Sequence, residues 1–96
     1  MTKATLELHV KREYASGEII EMTIWRLPKA TSERLHGLKY SLYYGRDGER
    51  MVGYDNERGK GDHRHIRDIE EVYMFSSKEN LIADFMKSVE EVGGLK

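Results

Sequence analysis

The chain contains no cysteine, which excludes disulfides and thiolate metal ligands and fits a reducing cytoplasm. It has a single proline, Pro28. Its apolar runs are only a few residues long, too short for a membrane-crossing helix. The start, Met1-Thr2-Lys3-Ala4, lacks the apolar core of a signal peptide, so a soluble cytoplasmic protein is expected. There is also no phosphate-cradling Walker loop, no dinucleotide Gly-x-Gly-x-x-Gly, no nucleophile elbow and no paired-cysteine zinc site. These absences argue against nucleotide-driven and hydrolase-fold enzymes.

What is present suits one modest core. The 96 residues are 39% hydrophobic and 34% charged, so a single domain spanning residues 1–96 is expected, burying one sheet face and one helix. The net charge of −1 conceals an asymmetry: residues 1–67 carry 13 basic and 10 acidic side chains, residues 68–96 carry 3 and 7. A basic body with an acidic tail offers a weak surface for nucleic acid and another for a basic partner. An imbalance this small equally fits an ordinary solvated surface.

Hydrophobic alternation predicts the strands. Leu6, Leu8 and Val10 alternate with Glu7, His9 and Lys11, the period of a half-buried strand. After a Ser16-Gly17 turn, Ile20, Met22 and Ile24 line one face of a second strand that Pro28 closes. Lys29 to Gly37 reads as a loop. Leu38, Tyr40, Leu42 and Tyr44 mark a third strand, Gly45-Arg46-Asp47-Gly48 a hairpin, and about Arg50 to Asn56 a fourth strand. Glu71 to Phe75 reads as a short fifth.

Ser76 and Glu79 have capping-box spacing. Leu81, Ile82, Phe85, Met86 and Val89 then follow at helical spacing until Gly93-Gly94. The expected fold is α+β: an antiparallel meander of four to five strands with a C-terminal amphipathic helix packed on one face.

The densest chemistry lies between Tyr54 and His65, where two of the four histidines, three basic residues, three acids and two glycines follow one another. In an extended segment His63 and His65 project to one side, roughly 7 Å apart. Imidazoles titrate nearest neutrality, so such a pair can remove one proton and donate another. RNA cleavage without metal needs that acid and base, together with a cation for the charged phosphorane. Arg58, Lys60, Arg64 and Arg67 are the candidate cations. A regular strand aims Arg64 away from the histidines, so its use requires irregular backbone near Gly59 and Gly61.

Asp55 can orient a histidine and fix its tautomer, or shape a turn with Asn56. Tyr54 is a candidate base-stacking residue. Tyr43, on the polar side of the third strand, is the best exception to a core role for the other tyrosines. The His-x-His spacing with Asp62 or Asp55 also suits a divalent metal, although the set is incomplete. The same spacing is equally that of an exposed polar loop, and His9 and His36 read as ordinary surface and loop residues.

The run Tyr54-Asp55-Asn56 through Gly59-Lys60-Gly61-Asp62-His63-Arg64-His65, with Glu70-Glu71, Tyr73, Phe75, Leu81, Asp84 and Phe85, resembles the TumE-type family of small prokaryotic toxin-antitoxin proteins. Ile24-Trp25-Arg26-Leu27-Pro28 and Lys39-Tyr40-Ser41-Leu42 extend the likeness to most of the chain. The resemblance implies a toxin paired with a separately encoded antitoxin, often a helix-turn-helix protein, and RNA cleavage as its activity. Asp55, Asn56, Lys60, His63, Arg64 and His65 are the matching positions. Glu57-Arg58 stands where some members carry a longer histidine run, which lowers the case for a metal.

The combined expectation is a ribonuclease-type toxin with His63, His65, Arg64, Lys60 and Asp55 as the catalytic set. Tyr54, Asn56, Arg58, Arg67 and Tyr43 are expected to bind substrate. No cofactor and no metal are assigned. RNA and an antitoxin are the expected partners, a membrane is not, and a homodimer is left open. The alternatives are a non-enzymatic protein- or nucleic-acid-binding module and a His/Asp metal-binding protein.

Overall fold

Alternation of apolar and polar side chains produces the sheet, and the computed structural model, which describes residues 3–30, 36–56 and 61–94, shows how the strands pair. They are β1 (Thr5–Glu13), β2 (Glu18–Arg26), β3 (Leu38–Arg46), β4 (Glu49–Asp55), β5 (His63–Ile66) and β6 (Ile69–Val72). Each pairs antiparallel with the next, so spatial order equals chain order. One helix, α1 (Lys78–Glu91), lies across one face.

The β3–β4 hairpin forms where Asp47 and Gly48 both adopt positive φ, +52° and +82°, the handedness that matches strand twist. α1 begins at Ser77, whose hydroxyl accepts a hydrogen bond from the Asn80 amide at 3.0 Å. The cap is therefore one residue later than the Ser76–Glu79 spacing implies, and the Ser76 hydroxyl accepts from the Asn80 side chain instead. The helix ends at Gly93, with φ +84°, as the Gly93 and Gly94 amides donate to Glu90 and Val89.

The core is the helix-facing half of the alternation. Ile20 and Ile24 from β2, Leu38, Tyr40, Leu42 and Tyr44 from β3, and Val52 and Tyr54 from β4 are buried with Tyr73 and with Leu81, Phe85 and Val89 of α1. Fully buried side chains of this size contribute about 1.5–3 kcal/mol each. Tyr54 is central: its ring meets Phe85 and Tyr73 edge-on at 5.9 and 4.9 Å. At the far side of the sheet, Glu7 accepts from Arg26 at 2.7 Å and from Lys78 at 3.1 Å, tying β1 to the start of α1.

The architecture agrees with the α+β expectation, but the strands among the described residues number six rather than four to five. His63–Ile66 is a strand of its own, and the last strand is Ile69–Val72 rather than Glu71–Phe75. The turn between them has no glycine or proline. Arg67 itself takes the left-handed conformation, φ +55°, which a non-glycine residue seldom does. A second departure lies in β1, where Leu6 pairs with Trp25 and Leu8 with Ile24. Glu7 is the extra residue of this irregularity, so Leu6 no longer shares a face with Leu8, and it stays exposed.

Candidate functional site

Strand pairing divides the His63-Arg64-His65 run between the two faces of the sheet. In the β4–β5 ladder Asp55 stands opposite His63, Gly53 opposite His65, and Tyr54 opposite Arg64. In the next ladder His63 faces Val72 and His65 faces Glu70. Because successive side chains alternate, Asp55, His63, His65 and Glu70 rise from the face that α1 leaves uncovered. Tyr54 and Arg64 point toward the helix.

On the open face the two imidazoles meet edge-on, with ring centroids 5.2 Å apart. His63 is nearly enclosed, its side chain 7% exposed. Its Nδ1 lies 3.0 Å from the Gly61 carbonyl. A carbonyl only accepts, so Nδ1 carries the proton, and in the neutral ring Nε2 carries the lone pair. That Nε2 is 2.5 Å from the buried Asp55 Oδ1, an ion pair when the ring carries a second proton. His65 is more open, at 17% side-chain exposure, and its Nε2 lies 3.0 Å from Glu70 Oε2. The same carboxylate oxygen is 3.9 Å from His63 Nε2.

Among the described residues Arg50 supplies the positive charge here. Gly53, between Tyr43 and His65 in the ladder, leaves a notch, and a Cβ at that position would meet Arg50 Cδ at 3.0 Å. The Arg50 side chain thus lies over Gly53, and among the described residues it pairs with no carboxylate. Burial first, and the Arg50 charge second, hold the His65 pKa below the ordinary histidine value, against the opposing pull of Glu70 and Asp55. Beside Asp55 a cleft of about 380 Å³ opens between Lys39, Ser41 and Asn56.

The sequence-predicted residues fall into three groups. Asp55, His63 and His65 come together, and Tyr43 shares their face. Tyr54, Arg64 and Arg67 lie elsewhere, and Asn56 is buried at the rim of the cleft beside Asp55. Tyr54 is fully buried with its hydroxyl 2.6 Å from Ser88 Oγ, so its ring has no face for a base. Asn56 is buried as well, accepting from the Tyr40 amide at 3.0 Å and donating to the Leu38 carbonyl at 2.7 Å. It ties the end of β4 to β3.

Arg64 donates to Glu71 at 2.5 Å and to the Tyr54 hydroxyl at 3.1 Å. With Arg67 it lines a separate cleft of about 430 Å³ against the C-terminal half of α1. Lys60 and Arg58 lie outside the described residues.

Of two further residues in the open-face cluster, Arg50 has no sequence signal of its own and Glu70 only its place in the family likeness. The ladder pairing of Glu70 with His65 and the absence of a side chain at Gly53 bring them in. His36 is also more than a loop residue: its Nδ1 accepts from the Leu38 amide at 3.1 Å and its Nε2 donates to Asp62 at 3.0 Å. Its ring lies against Phe75 with centroids 3.9 Å apart. This second His–Asp pair braces the sheet end just before β5 rather than joining the cluster.

A family model described as toxin TumE matches residues 2–92, which covers nearly the whole chain, and the chain belongs to that family. Membership makes it the toxin component of a toxin-antitoxin system with a cognate antitoxin as partner. No curated protein and no solved structure matches it. Among the described residues no helix is long and apolar enough to cross a membrane.

Proposed function

We propose that this TumE-family toxin acts on RNA in the cytoplasm and cleaves a phosphodiester bond at the open face of its sheet. The observation that carries this reading is the convergence of Asp55, His63, His65 and Glu70 beside the guanidinium of Arg50, which pairs with no carboxylate among the described residues. Phosphodiester cleavage needs groups that manage charge and protons at the attacked phosphate, and preorganised positive charge is usually the largest contribution. Arg50, lying over the Gly53 notch, is placed to meet a phosphate. His65, the more open imidazole, is the side chain that reaches it from the other side of the notch. His63 is too enclosed to touch substrate freely and acts from behind, through Asp55. The acid–base division expected between two equivalent histidines becomes an unequal one.

Tyr43 borders the same notch and supplies an aromatic edge for a neighbouring nucleotide, whereas Tyr54, Asn56 and Arg64 support the fold beneath. The test is to incubate the purified chain with RNA and to express it in cells without an antitoxin. The parent is expected to cleave RNA and arrest growth, and His65→Ala to lose about 100-fold or more of the cleavage rate while keeping its circular dichroism spectrum. RNA left intact by the parent, or cut at the parent rate by His65→Ala, would overturn the proposal.

A further inference from the structure

We infer that Asp55, His63 and His65 form a binding site for one divalent transition-metal cation of the zinc or cobalt class, with Glu70 at its rim. The inference rests on the proposed RNA reading only for its role, in which His65 then serves as a ligand and the cation, not the imidazole, meets the phosphate; the site itself rests on geometry alone.

The first argument is convergence. One ligand atom from each of the three residues lies within 4.8 Å of those from the other two. Ligands bound at about 2.0–2.2 Å to one cation are separated by roughly 3–4 Å, so small side-chain adjustments bring all three into one coordination sphere. Three different positions on two paired strands supply them, and the ladder holds their Cα atoms fixed.

The second argument is the hydrogen bonding of His63. Its Nδ1–H is committed to the Gly61 carbonyl at 3.0 Å, the outer contact that typically orients a metal-bound imidazole and selects its tautomer. Its Nε2 faces the buried Asp55 Oδ1, 2.5 Å away. Atoms this close share a positive species, either a second proton on the ring or a cation in its place. A cation bound by both atoms satisfies both at once.

The third argument is charge and donor type. Among the described residues Asp55 and Glu70 place two carboxylates at the cluster against the guanidinium of Arg50, which favours an added positive ion. Two imidazole nitrogens with one carboxylate oxygen suit zinc, cobalt, nickel or manganese, whereas magnesium and calcium prefer oxygen ligands throughout. Three protein ligands leave a position open for water or a phosphate oxygen. In the RNA reading that open position is where a non-bridging phosphate oxygen binds.

The experiment uses the full chain, stripped with chelator and dialysed, then titrated with Zn²⁺, Co²⁺ and Mg²⁺ by calorimetry. Cobalt is also followed by visible absorption. One equivalent of Zn²⁺ or Co²⁺ is expected to bind, with Mg²⁺ far weaker. His65→Ala and Asp55→Asn should each weaken binding by at least about tenfold. His36→Ala, which alters the other His–Asp pair, should leave it unchanged. Far-ultraviolet circular dichroism of each variant separates lost ligands from lost fold, and His65→Gln provides a second variant of similar bulk.

Absence of stoichiometric binding, or parent affinity in a folded His63→Ala, His65→Ala double variant, would overturn the site. So would binding that disappears in His36→Ala. RNA cleavage measured beside these titrations keeps the two proposals apart. Metal binding without cleavage removes only the RNA reading, and cleavage in excess chelator by a chain that binds no metal removes only this one.

Discussion

The two faces of this sheet are built by the same strands from interleaved residues, yet they have opposite characters. On the covered face Tyr54 and Arg64 are locked by the core and by hydrogen bonds to Ser88, Glu71 and each other. On the open face their sequence neighbours Asp55, His63 and His65 converge as titratable groups in ion-pair contact. The first arrangement is what stability selects, because its polar groups are paired and its rings are packed. The second crowds acids and imidazoles together, and such clusters mark places where a ligand or reaction is expected. A contiguous motif therefore holds two populations of residues, sorted by strand parity.

Substitutions on either face should separate these populations, and the largest effect belongs to the covered one. Phe85→Ala removes a fully buried ring packed edge-on against Tyr54 and should cost about 3–5 kcal/mol of stability, measured by urea denaturation. A cost near zero would mean that α1 does not seal the core as described. Next is Arg50→Ala on the open face. It should lower RNA cleavage by about 100-fold with stability unchanged within about 0.5 kcal/mol. The opposite pattern, stable activity and lost stability, would erase the distinction between the faces.

Tyr54→Phe sharpens the comparison with a smaller change. It deletes only the hydroxyl that meets Ser88 and Arg64, and should cost about 1 kcal/mol while cleavage stays within a few-fold of the parent. A large loss of cleavage with little loss of stability would return Tyr54 to the site. The smallest effect lies at the far edge. Arg26 and Lys78 hold the Glu7 carboxyl below its ordinary value of 4.5, so its contribution to stability is present above that pH and is lost as pH falls through the lowered value. The stability gap between the parent and Glu7→Gln, open at pH 7, should close as the solution is acidified below 4.5. A gap that persists at low pH would mean that packing, not charge, explains it.

Much of this was legible in the residues. The period of two in β2 and β3 and the apolar spacing of α1 gave their faces correctly, since local alternation is all that such a reading needs. β5 and β6 were not legible because His63-Arg64-His65 has no apolar alternation and Arg67-Asp68 turns without glycine. The exposure of Val72 and Met74, 79% and 83%, misleads in the same way, since an apolar residue near an edge imitates a core pattern. In the site, His63, His65 and Asp55 were legible from spacing. Arg50 was not, and Glu70 only through the family likeness, because one joins the cluster by lying over Gly53 and the other through the β5–β6 pairing.

The sequence by itself determined which residues could share a face, because side-chain direction along a strand is a local property with a period of two. It also determined the helix, whose apolar stripe and terminal signals lie within a few residues of one another. Only the tertiary structure decided which face the helix covers, which strands bring Arg50 and Glu70 to the histidines, and how deeply His63 is enclosed. Those outcomes depend on ladder register and on packing between distant segments, and neither is encoded in the spacing of neighbours.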